Sequence, residues 1–433
     1  MSTATQERLI RPARNIYGSL RLPGDKSISH RYAMLGAFAE GTSRFTNFST
    51  GADCASTLAC MQALGAKVNR LDGDAVEITG VAGRATPSSH PLDCGNSGST
   101  MRMMSGLLAA QQGRFTLIGD ASLSRRPMGR IQKPLEAMGA RLTLTEGHAP
   151  LTIEGATLQP IDYTTPVPSA QVKTCILLAG LQTEGTTTVR EAVRTRDHSE
   201  LALRAFGARL TRTSDSISIS GPQKLHAIEA AVPGDISSAA FFLCAAAIFP
   251  SSNLVLDAVG LNPTRAALLD VLTTLGAKIN VLNLEEKHAE LVGVVQISMP
   301  AEGLGSTAIA GAVAAQLIDE LPVLAAIGPY TSGGIRIRDA KELRVKESDR
   351  IALVVKNLRA MGAEVEEFDD GLDVPGGQLL HGATVDSGGD HRIAMAFSVA
   401  ALRAQGETLI HGAESAAISF PEFFDLLDRI AER

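Results

Sequence analysis

Lys26, Ser27 and Arg31 lie in the segment LPGDKSISHR, where a polar cluster precedes an apolar, Ala-rich stretch. The cluster predicts the start of a helix, and the free N–H groups and dipole of a helix N-terminus attract anions. Ser27 and Arg31 are separated by one helical turn, so together with Lys26 they predict a phosphate or carboxylate site. The motif is not a P-loop, because Asp25 stands where that motif has Gly before the lysine. A solvated basic helix end is the alternative.

Other polar clusters in the first half of the chain also stand at predicted helix starts. Gly98 lies in GNSGSTMR, where two glycines allow a ligand to approach the backbone closely, although a flexible turn explains them equally well. Arg126 lies in SLSRRPMGR, and an arginine fork binds carboxylate or phosphate through two hydrogen bonds. PSAQVK adds Ser169 and Gln171, and RTRDH adds Arg196.

In the second half of the chain, acidic residues accompany the basic ones. Asp319 opens the predicted helix DELPVLA, RVKESDR contains Lys346, Glu347 and Arg350, and GDHR contains Arg392. Lys346 and Arg350 are four residues apart and can face one ligand together. Glu347 lies between them and could act as an acid or base tuned by Lys346. A solvated charged face is the alternative for RVKESDR.

Composition restricts the classes of function. The 433 residues are 45% hydrophobic and 20% charged, as in ordinary folded proteins, and carry a net charge of −6 with no Trp. We therefore expect neither a nucleic-acid partner nor binding to an anionic membrane. No metal, nucleotide or nucleophile motif is visible, so no metal or cofactor is expected.

The cellular location follows from the cysteines and the apolar runs. Five scattered cysteines predict reduced thiols of a cytosolic protein, and the first fifteen residues lack the apolar stretch of a signal peptide. The longest apolar run, Ala239–Phe249, is too short to cross a bilayer. A cytoplasmic protein is expected.

Two interleaved patterns repeat along the chain. Five segments share the motif apolar-x-x-apolar-Gly-Ala, whose glycines fit helix C-caps: Gly65, Gly139, Gly207, Gly276 and Gly362. Six polar clusters open Ala-rich stretches at intervals of roughly 70–80 residues, and a Thr/Val/Ile/Leu-rich strand follows each. The unit is therefore helix, strand, polar link, helix, Gly-Ala and strand. Six such units predict an α/β or α+β protein.

The ends of the repeat predict the domain organisation. The sixth unit lacks its trailing strand, and the strand-like segment Ile16–Leu22 is expected to complete it. Pro-Gly-Asp occurs at Pro23–Asp25 and three units later at Pro233–Asp235, which suggests two crossings between domains, with ordinary turns as the alternative. We expect a central domain of residues 24–234 and a discontinuous domain of residues 1–23 and 235–433. Basic helix starts of both would face a cleft that binds polyanionic small molecules.

Six motifs in this order, LPGDKSISHR, GNSGSTMR, RRPMGR, SAQVK, RVKESDR and GDHRIAM, resemble those of the 5-enolpyruvylshikimate-3-phosphate synthase (3-phosphoshikimate 1-carboxyvinyltransferase) family nearly end to end. SAQVK, TRDH and IDE-P are most similar to the bacterial class II branch. The resemblance implies a two-domain enolpyruvyl transferase fold, in which each domain has three βαβαββ units around a pseudo-threefold axis. It also implies a monomer.

The same resemblance implies a reaction of the shikimate pathway, which leads to chorismate and the aromatic amino acids. The enolpyruvyl group of phosphoenolpyruvate passes to the 5-hydroxyl of shikimate 3-phosphate, which gives 5-enolpyruvylshikimate 3-phosphate and phosphate without metal or organic cofactor. Asp319 is implied as the base, assisted by Lys26 and Lys346, and Glu347 as the acid that protonates the methylene carbon of phosphoenolpyruvate.

The resemblance also implies which residues hold the two substrates. For shikimate 3-phosphate the set is Lys26, Ser27, Arg31, Ser169, Ala170, Gln171, Arg196, Asp319 and Lys346. For phosphoenolpyruvate the set is Lys26, Gly98, Arg126, Gln171, Lys346, Arg350 and Arg392.

Two positions differ from class I members of that family: Ile418 stands where they carry a lysine, and Glu342 where they carry an asparagine. Because Gly98 is present, we expect that the herbicide glyphosate can enter the phosphoenolpyruvate pocket. UDP-N-acetylglucosamine enolpyruvyl transferase is the nearest alternative, but it typically carries a cysteine in the loop that reads ASLSRRPMG here. A non-catalytic anion-binding protein of the same fold is the other alternative.

Overall fold

The computed structural model describes residues 7–433. Its α-helices are α1 Lys26–Phe38, α2 Ala52–Ala63, α3 Gly98–Ala109, α4 Gly129–Ala137, α5 Ala170–Gly180, α6 His198–Ala205, α7 Ile236–Ala247, α8 Ala267–Thr274, α9 Gly311–Gln316, α10 Leu321–Ile327, α11 Arg350–Ala360, α12 His391–Ala401 and α13 Phe423–Ile430. Short 3₁₀ helices span Leu123–Arg125, Gly328–Tyr330, Lys341–Val345 and Ala413–Ile418. None of the described helices is both long and apolar enough to cross a membrane.

The strands alternate with these helices. They are β1 Glu7–Ile10, β2 Asn15–Arg21, β3 Thr42–Thr46, β4 Lys67–Leu71, β5 Ala75–Thr79, β6 Leu92–Asp93, β7 Arg114–Ile118, β8 Arg141–Thr145, β9 His148–Glu154, β10 Asp162–Thr164, β11 Gly185–Arg190, β12 Leu210–Arg212, β13 Ser216–Gly221, β14 Glu229–Ala231, β15 Asn253–Gly260, β16 Lys278–Lys287, β17 Glu290–Ser298, β18 Ser306–Ile309, β19 Gly334–Ile337, β20 Glu366–Phe368, β21 Gly371–Val374, β22 Thr384–Asp386, β23 Thr408–His411 and β24 Ala431–Glu432.

The chain divides into two compact units. The central unit contains Gly24–Val232 and Lys287–Glu290, the turn between β16 and β17. The terminal unit contains the chain up to Pro23 together with Pro233–Glu286 and Leu291–Arg433. The domain of residues 1–23 and 235–433 expected from the sequence therefore differs from the terminal unit chiefly at that turn.

The central unit repeats one sheet topology three times. Its sheets have the strand orders β14-β3-β5-β4, β6-β7-β9-β8 and β10-β11-β13-β12. In each sheet the first two strands are parallel and the remaining neighbours are antiparallel. One helix precedes the second strand of each sheet and another follows it, as in βαβ units. Because β14 comes from the end of the unit and pairs with β3 near its start, the three repeats form a closed series.

The terminal unit follows the same plan with parallel pairs β2/β15, β18/β19 and β22/β23. The expectation that Ile16–Leu22 completes the sixth repeat is wrong. That segment forms β2, which pairs in parallel with β15 of the fourth repeat, and its Ile16 and Leu20 are buried. The sixth repeat is completed instead by β1, which lies antiparallel to β23.

The first helix of each repeat lies inside its unit. Every residue of α7 is buried, and so is every residue of α12. Aromatic rings pack around these helices, with Phe241 and Phe423 at 5.7 Å between centroids in the terminal unit and Tyr32 and Phe45 at 5.2 Å in the central unit. A helix that is apolar on all sides belongs in a core. Polar side chains beyond its first turn need a partner inside the protein, as Ser398 of α12 has in the carbonyl oxygen of Ala394.

The Gly-Ala motif ends the second helix of five repeats, as the sequence predicts. Its glycines all have positive φ, between 88° and 105°. In each case the following alanine N–H donates to the carbonyl five residues earlier, for example Ala140 to Leu135 at 3.0 Å. This is the Schellman arrangement, in which the residue with the left-handed conformation is usually glycine because a Cβ there would be sterically strained. The buried alanine then leads the chain away from the helix.

Replacing Gly139 with Ala tests this assignment. Its φ of +104° strains any L-residue, although the nearest atom to an added Cβ is 3.9 Å away. We expect the free energy of unfolding in urea to fall by about 1–2 kcal/mol. Gly129→Ala, at the start of the same helix α4, has open space and no positive φ, so it should be neutral or stabilising. Equal losses in the two variants would contradict the assignment.

Candidate active site

The helix starts of the central unit are capped by side chains. Asp25, Ser97 and Ser169 accept hydrogen bonds from N–H groups three residues later, at 2.9, 3.0 and 3.3 Å. Each cap uses one of the free N–H groups of its helix. The basic side chains at these helix starts are therefore not needed as caps, because Asp25, Ser97 and Ser169 already fill that role.

Lys26 and Arg31 project from the first two turns of α1. The Nζ of Lys26 lies 3.0 Å from Asp53 Oδ2 in α2. Arg31 is 6% exposed and donates to Ser199 Oγ at 2.6 Å and to Thr174 Oγ1 at 3.2 Å. It also donates to the carbonyl oxygen of Ser27, one helical turn earlier. The hydroxyl partners fix the guanidinium without adding negative charge.

Arg126 lies beside the start of α3. Its NH2 donates to Asn96 Oδ1 at 2.7 Å and to Ser122 Oγ at 3.1 Å, and its NH1 donates to the Asn96 carbonyl at 3.1 Å. A Cβ added to Gly98 would lie 3.5 Å from Arg126 NH1 and 2.9 Å from Arg102 NH1. Gly98 therefore leaves the space beside two guanidinium groups open.

Gln171 joins the starts of α3 and α5. Its Oε1 accepts from Arg102 NH1 at 2.8 Å, and its Nε2 donates to Ser99 Oγ at 2.9 Å. The structure thus brings Gly98, Arg126 and Gln171 into one cluster, while Ser169 and Ala170 form the start of α5 next to it in sequence.

Arg196 is half-buried in the loop between β11 and α6. A buried lysine holds that loop: Lys173 Nζ lies 2.9 Å from both Glu191 Oε2 and Glu200 Oε1 and donates to the Thr195 carbonyl at 3.5 Å. Burial raises the pKa of Glu200, and the Lys173 charge opposes that rise. The three charged groups anchor both ends of the loop that carries Arg196.

In the terminal unit, Arg350 lies at the centre of the predicted acid–base residues. It is 1% exposed, and its Nε donates to Asp390 Oδ2 at 2.8 Å. Its NH2 donates to Glu347 Oε2 at 2.5 Å, and its NH1 lies 3.5 Å from Asp319 Oδ1. Burial alone lowers the pKa of Arg350, but the carboxylates of Asp390 and Glu347 outweigh it and raise that pKa above its usual value.

Arg392 lies on the other side of Asp319. Its NH1 donates to the Asp319 carbonyl oxygen at 2.8 Å, and its Nε lies 3.8 Å from Asp319 Oδ1. Arg392 is in the first turn of α12, whose N-cap Asp390 also binds Arg350. The starts of α10, α11 and α12 are therefore joined through these two arginines.

Lys346 directly follows the 3₁₀ helix Lys341–Val345 and is half-buried. Burial lowers the pKa of Lys346, and Asp319 is the strongest of the nearby charges that oppose this decrease. Glu342, in the same 3₁₀ helix, and Glu347 act in the same direction as Asp319. Lys346 therefore belongs electrostatically to the same cluster as Asp319 and Glu347.

In the central unit the structure brings Gly98, Arg126 and Gln171 together. The terminal unit gathers Asp319, Lys346, Glu347, Arg350 and Arg392. Other residues hold them in place. The sequence did not indicate Asp53 or Lys173. Asn96, Glu320 and Asp390 stand in the polar clusters GNSGSTMR, DELPVLA and GDHR, but no supporting role was predicted for them. Lys173 had a signal, since a lysine within the apolar stretch AQVKTCILLAG requires a buried partner. Among residues 7–433, no group of three His, Cys, Asp or Glu side chains is placed to hold a metal ion.

Comparison with known proteins gives a consistent result. Residues 10–427 match the family profile described as EPSP synthase (3-phosphoshikimate 1-carboxyvinyltransferase). The 3-phosphoshikimate 1-carboxyvinyltransferase of Koribacter versatilis is 64% identical over 98% of this chain and 99% of its own, and that of Thermosynechococcus vestitus is 50% identical over 96% and 95%. A solved structure of EPSP synthase from Acinetobacter baumannii matches with a TM-score of 0.87 and 40% identity over 99% of this chain and 98% of that chain.

Lys173→Met is expected to destabilise the central unit strongly. It leaves Glu191 and Glu200 buried without their cation, which typically costs about 3–5 kcal/mol. The unfolding midpoint in urea, followed by circular dichroism, measures the effect. Lys224→Met removes a lysine from an exposed pair with Glu40 in the same unit and should change the midpoint little. Similar midpoints for the two variants would contradict the structural role of Lys173.

Proposed function

The chain belongs to the EPSP synthase family, and from this premise we propose how its charged clusters perform the family's reaction. It is a transferase with 3-phosphoshikimate 1-carboxyvinyltransferase activity, a step of the shikimate pathway. The substrates are shikimate 3-phosphate and phosphoenolpyruvate. The enolpyruvyl group moves to the 5-hydroxyl of shikimate 3-phosphate, and phosphate is released.

The observation that carries the catalytic proposal is the position of two carboxylates on one buried guanidinium. Asp319 and Glu347 both approach Arg350, at 3.5 and 2.5 Å, and Lys346 lies in the same electrostatic cluster. A general acid and a general base close to one another suit a reaction that must add a proton at one atom and remove one at another. We assign the acid to Glu347 and the base to Asp319.

The proton transfers then balance. Glu347 gives a proton to the methylene carbon of phosphoenolpyruvate, which makes C2 cationic. The 5-hydroxyl oxygen attacks C2 and loses its proton to Asp319, with Lys26 and Lys346 compensating the negative charge. A methyl proton then returns to a carboxylate, phosphate leaves from C2, and the carbon–carbon double bond forms again. Fixed positive groups lower the cost of bringing two anions together.

The donor set we propose is rich in arginine. Arg126, Arg350 and Arg392 can bind the phosphate and carboxylate of phosphoenolpyruvate through paired hydrogen bonds. Gly98, Gln171, Lys26 and Lys346 complete this set. Support comes from the close approach of Gly98 to the Arg126 guanidinium and from the neutral Asn96 and Ser122 that hold it.

The acceptor set we propose lies mainly at the starts of α1 and α5. It comprises Lys26, Ser27, Arg31, Ser169, Ala170, Gln171, Arg196, Asp319 and Lys346. Arg31 is held in place by Ser199 and Thr174, which accept hydrogen bonds from its guanidinium. We propose that both clusters act on the same pair of substrates, so that the central unit mainly binds anions and the terminal unit mainly transfers protons.

Finer properties follow the same resemblance. We propose that the protein is a cytoplasmic monomer of the class II type. We also propose that glyphosate can occupy the phosphoenolpyruvate site, because a side chain at Gly98 would intrude on the space beside Arg102 and Arg126 and none is present.

Phosphate release with different acceptors tests the function. With phosphoenolpyruvate as donor, shikimate 3-phosphate should support turnover, and UDP-N-acetylglucosamine should support none. A coupled phosphate assay, with the organic product identified by mass spectrometry, makes the measurement. Turnover with the nucleotide sugar alone would reassign the enzyme, and no turnover with either acceptor would favour a binding protein.

Glu347→Gln should lower kcat by about 10²–10⁴-fold, because the amide cannot donate the proton that general acid catalysis requires. Steady-state kinetics with both substrates saturating measures the effect. Glu367→Gln is a matched control, since Glu367 pairs with Arg344 in the same unit outside the proposed site. A kcat near that of the unmodified enzyme would remove Glu347 from the acid role.

A further inference from the structure

A second group of buried charges lies behind Asp319 in the terminal unit. Ser237, Arg265 and Glu320 are each 2% exposed, and they come from three separate segments. Ser237 is in the first turn of α7, Arg265 is in the loop between β15 and α8, and Glu320 directly precedes α10. None of them belongs to the substrate-binding or acid–base sets described above.

Ser237 links the two charged residues. Arg265 NH2 donates to Ser237 Oγ at 2.6 Å, and the Ser237 hydroxyl donates to Glu320 Oε1. Arg265 NH2 also lies 3.2 Å from Asp235 Oδ1, which caps α7 by accepting from the Ser237 N–H at 2.8 Å. The position of the Glu320 carboxylate is therefore fixed by a hydroxyl whose own orientation is set by an arginine.

The carboxylate oxygen of Glu320 that accepts from Ser237, Oε1, also approaches the proposed donor site. This oxygen lies 4.0 Å from Arg392 NH1, the same nitrogen that donates to the Asp319 carbonyl. The second carboxylate oxygen, Oε2, is buried and accepts no hydrogen bond from any described residue. An incompletely bonded buried carboxylate is costly, and apolar replacements of buried ion pairs are often neutral or stabilising. Stability alone therefore gives little reason for an acid at this position.

We propose that Glu320 is a positioning residue for donor binding. The Glu320 charge, held in place through Ser237 and Arg265, orients the Arg392 guanidinium. In this orientation NH1 donates to the Asp319 carbonyl oxygen, and the remaining N–H groups of Arg392 are directed to the donor. Glu320 itself does not touch the substrate. This inference rests on the proposed function, in which Arg392 binds phosphoenolpyruvate.

The test is Glu320→Gln, which preserves volume and keeps an oxygen that can accept from Ser237 but removes the charge. We expect the KM for phosphoenolpyruvate to rise roughly 10-fold, because the variant removes a buried negative charge that lies 4.0 Å from the Arg392 guanidinium. The KM for shikimate 3-phosphate should change less than the donor KM. Glu407→Gln, which alters an exposed acid paired with Arg11 in the same unit, should change neither constant.

Further variants separate positioning from a merely structural role. Glu320→Asp keeps the charge and should recover part of the donor affinity, whereas a structural role would lower Tm without a selective change in donor KM. In an Arg392→Gln background, Glu320→Gln should add little to the donor KM, because the two residues act through one interaction. Independent, additive effects would overturn the proposal.

If Glu320→Gln does not fold, Ser237→Ala tests the role of Glu320 instead. This variant removes the hydroxyl that joins Arg265 to Glu320 and leaves the charges of both residues in place. A folded Ser237→Ala enzyme with normal donor KM would overturn the inference, and a selective increase would support it. An unmodified enzyme that fails to turn over shikimate 3-phosphate would instead overturn the proposed function. An active enzyme with a folded Glu320→Gln variant of unchanged donor KM would overturn only the role of Glu320.

Discussion

The burial of Arg350 constrains the whole charged cluster of the terminal unit. A guanidinium that is 1% exposed has to be compensated by nearby carboxylates, because the free energy of an isolated buried charge is prohibitive. Asp390 supplies the most direct compensation, and Glu347 and Asp319 approach the other nitrogens. Since these carboxylates stand at the starts of different helices, the arginine fixes the relative positions of those helix starts. The residues proposed as the acid and the base are thereby placed by the same interactions that compensate the charge of Arg350.

The arginines proposed to bind anions in the central unit have different hydrogen-bond partners. Neutral acceptors take part in holding two of its arginines: Ser199 and Thr174 accept from Arg31, and Asn96 and Ser122 accept from Arg126. Such partners fix the orientation of a guanidinium and leave its positive charge for an anionic ligand. In the terminal unit, Arg350 and Arg392 lie instead beside the carboxylates of Asp390, Glu347 and Asp319. The groups proposed to transfer protons therefore stand next to arginines proposed to bind the donor.

Elements whose formation depends on residues nearby in the chain could be predicted from the sequence. Pairings that depend on residues far away in the chain could not. The glycines of the Gly-Ala motif were identifiable because a left-handed C-cap requires glycine whatever the tertiary structure. The pairing of β2 was not, because distant residues decide which strand it meets. The parallel ladder joins β2 to β15, and the position beside β23 is filled by β1, which was not predicted as a strand from the sequence. In the site, charged residues at helix starts could be found by their type and spacing. Asp53 could not, because nothing in its local sequence shows that it meets Lys26. Glu320 stood out only as an acidic residue at a helix start, without an indication of its partners.

The repeated architecture also explains why the chemistry is confined to helix starts. The first helices of the repeats are largely buried, so a polar side chain in them needs a partner and reaches a ligand most easily from the first two turns. In α12 the first turn carries Arg392, whose long side chain reaches the Asp319 backbone. In α7 the first turn carries Ser237, whose short side chain contacts Arg265 and Glu320. Both helix starts are buried, so the length of the side chain, and not its depth, distinguishes the residue proposed to bind the donor from the residue proposed to support it.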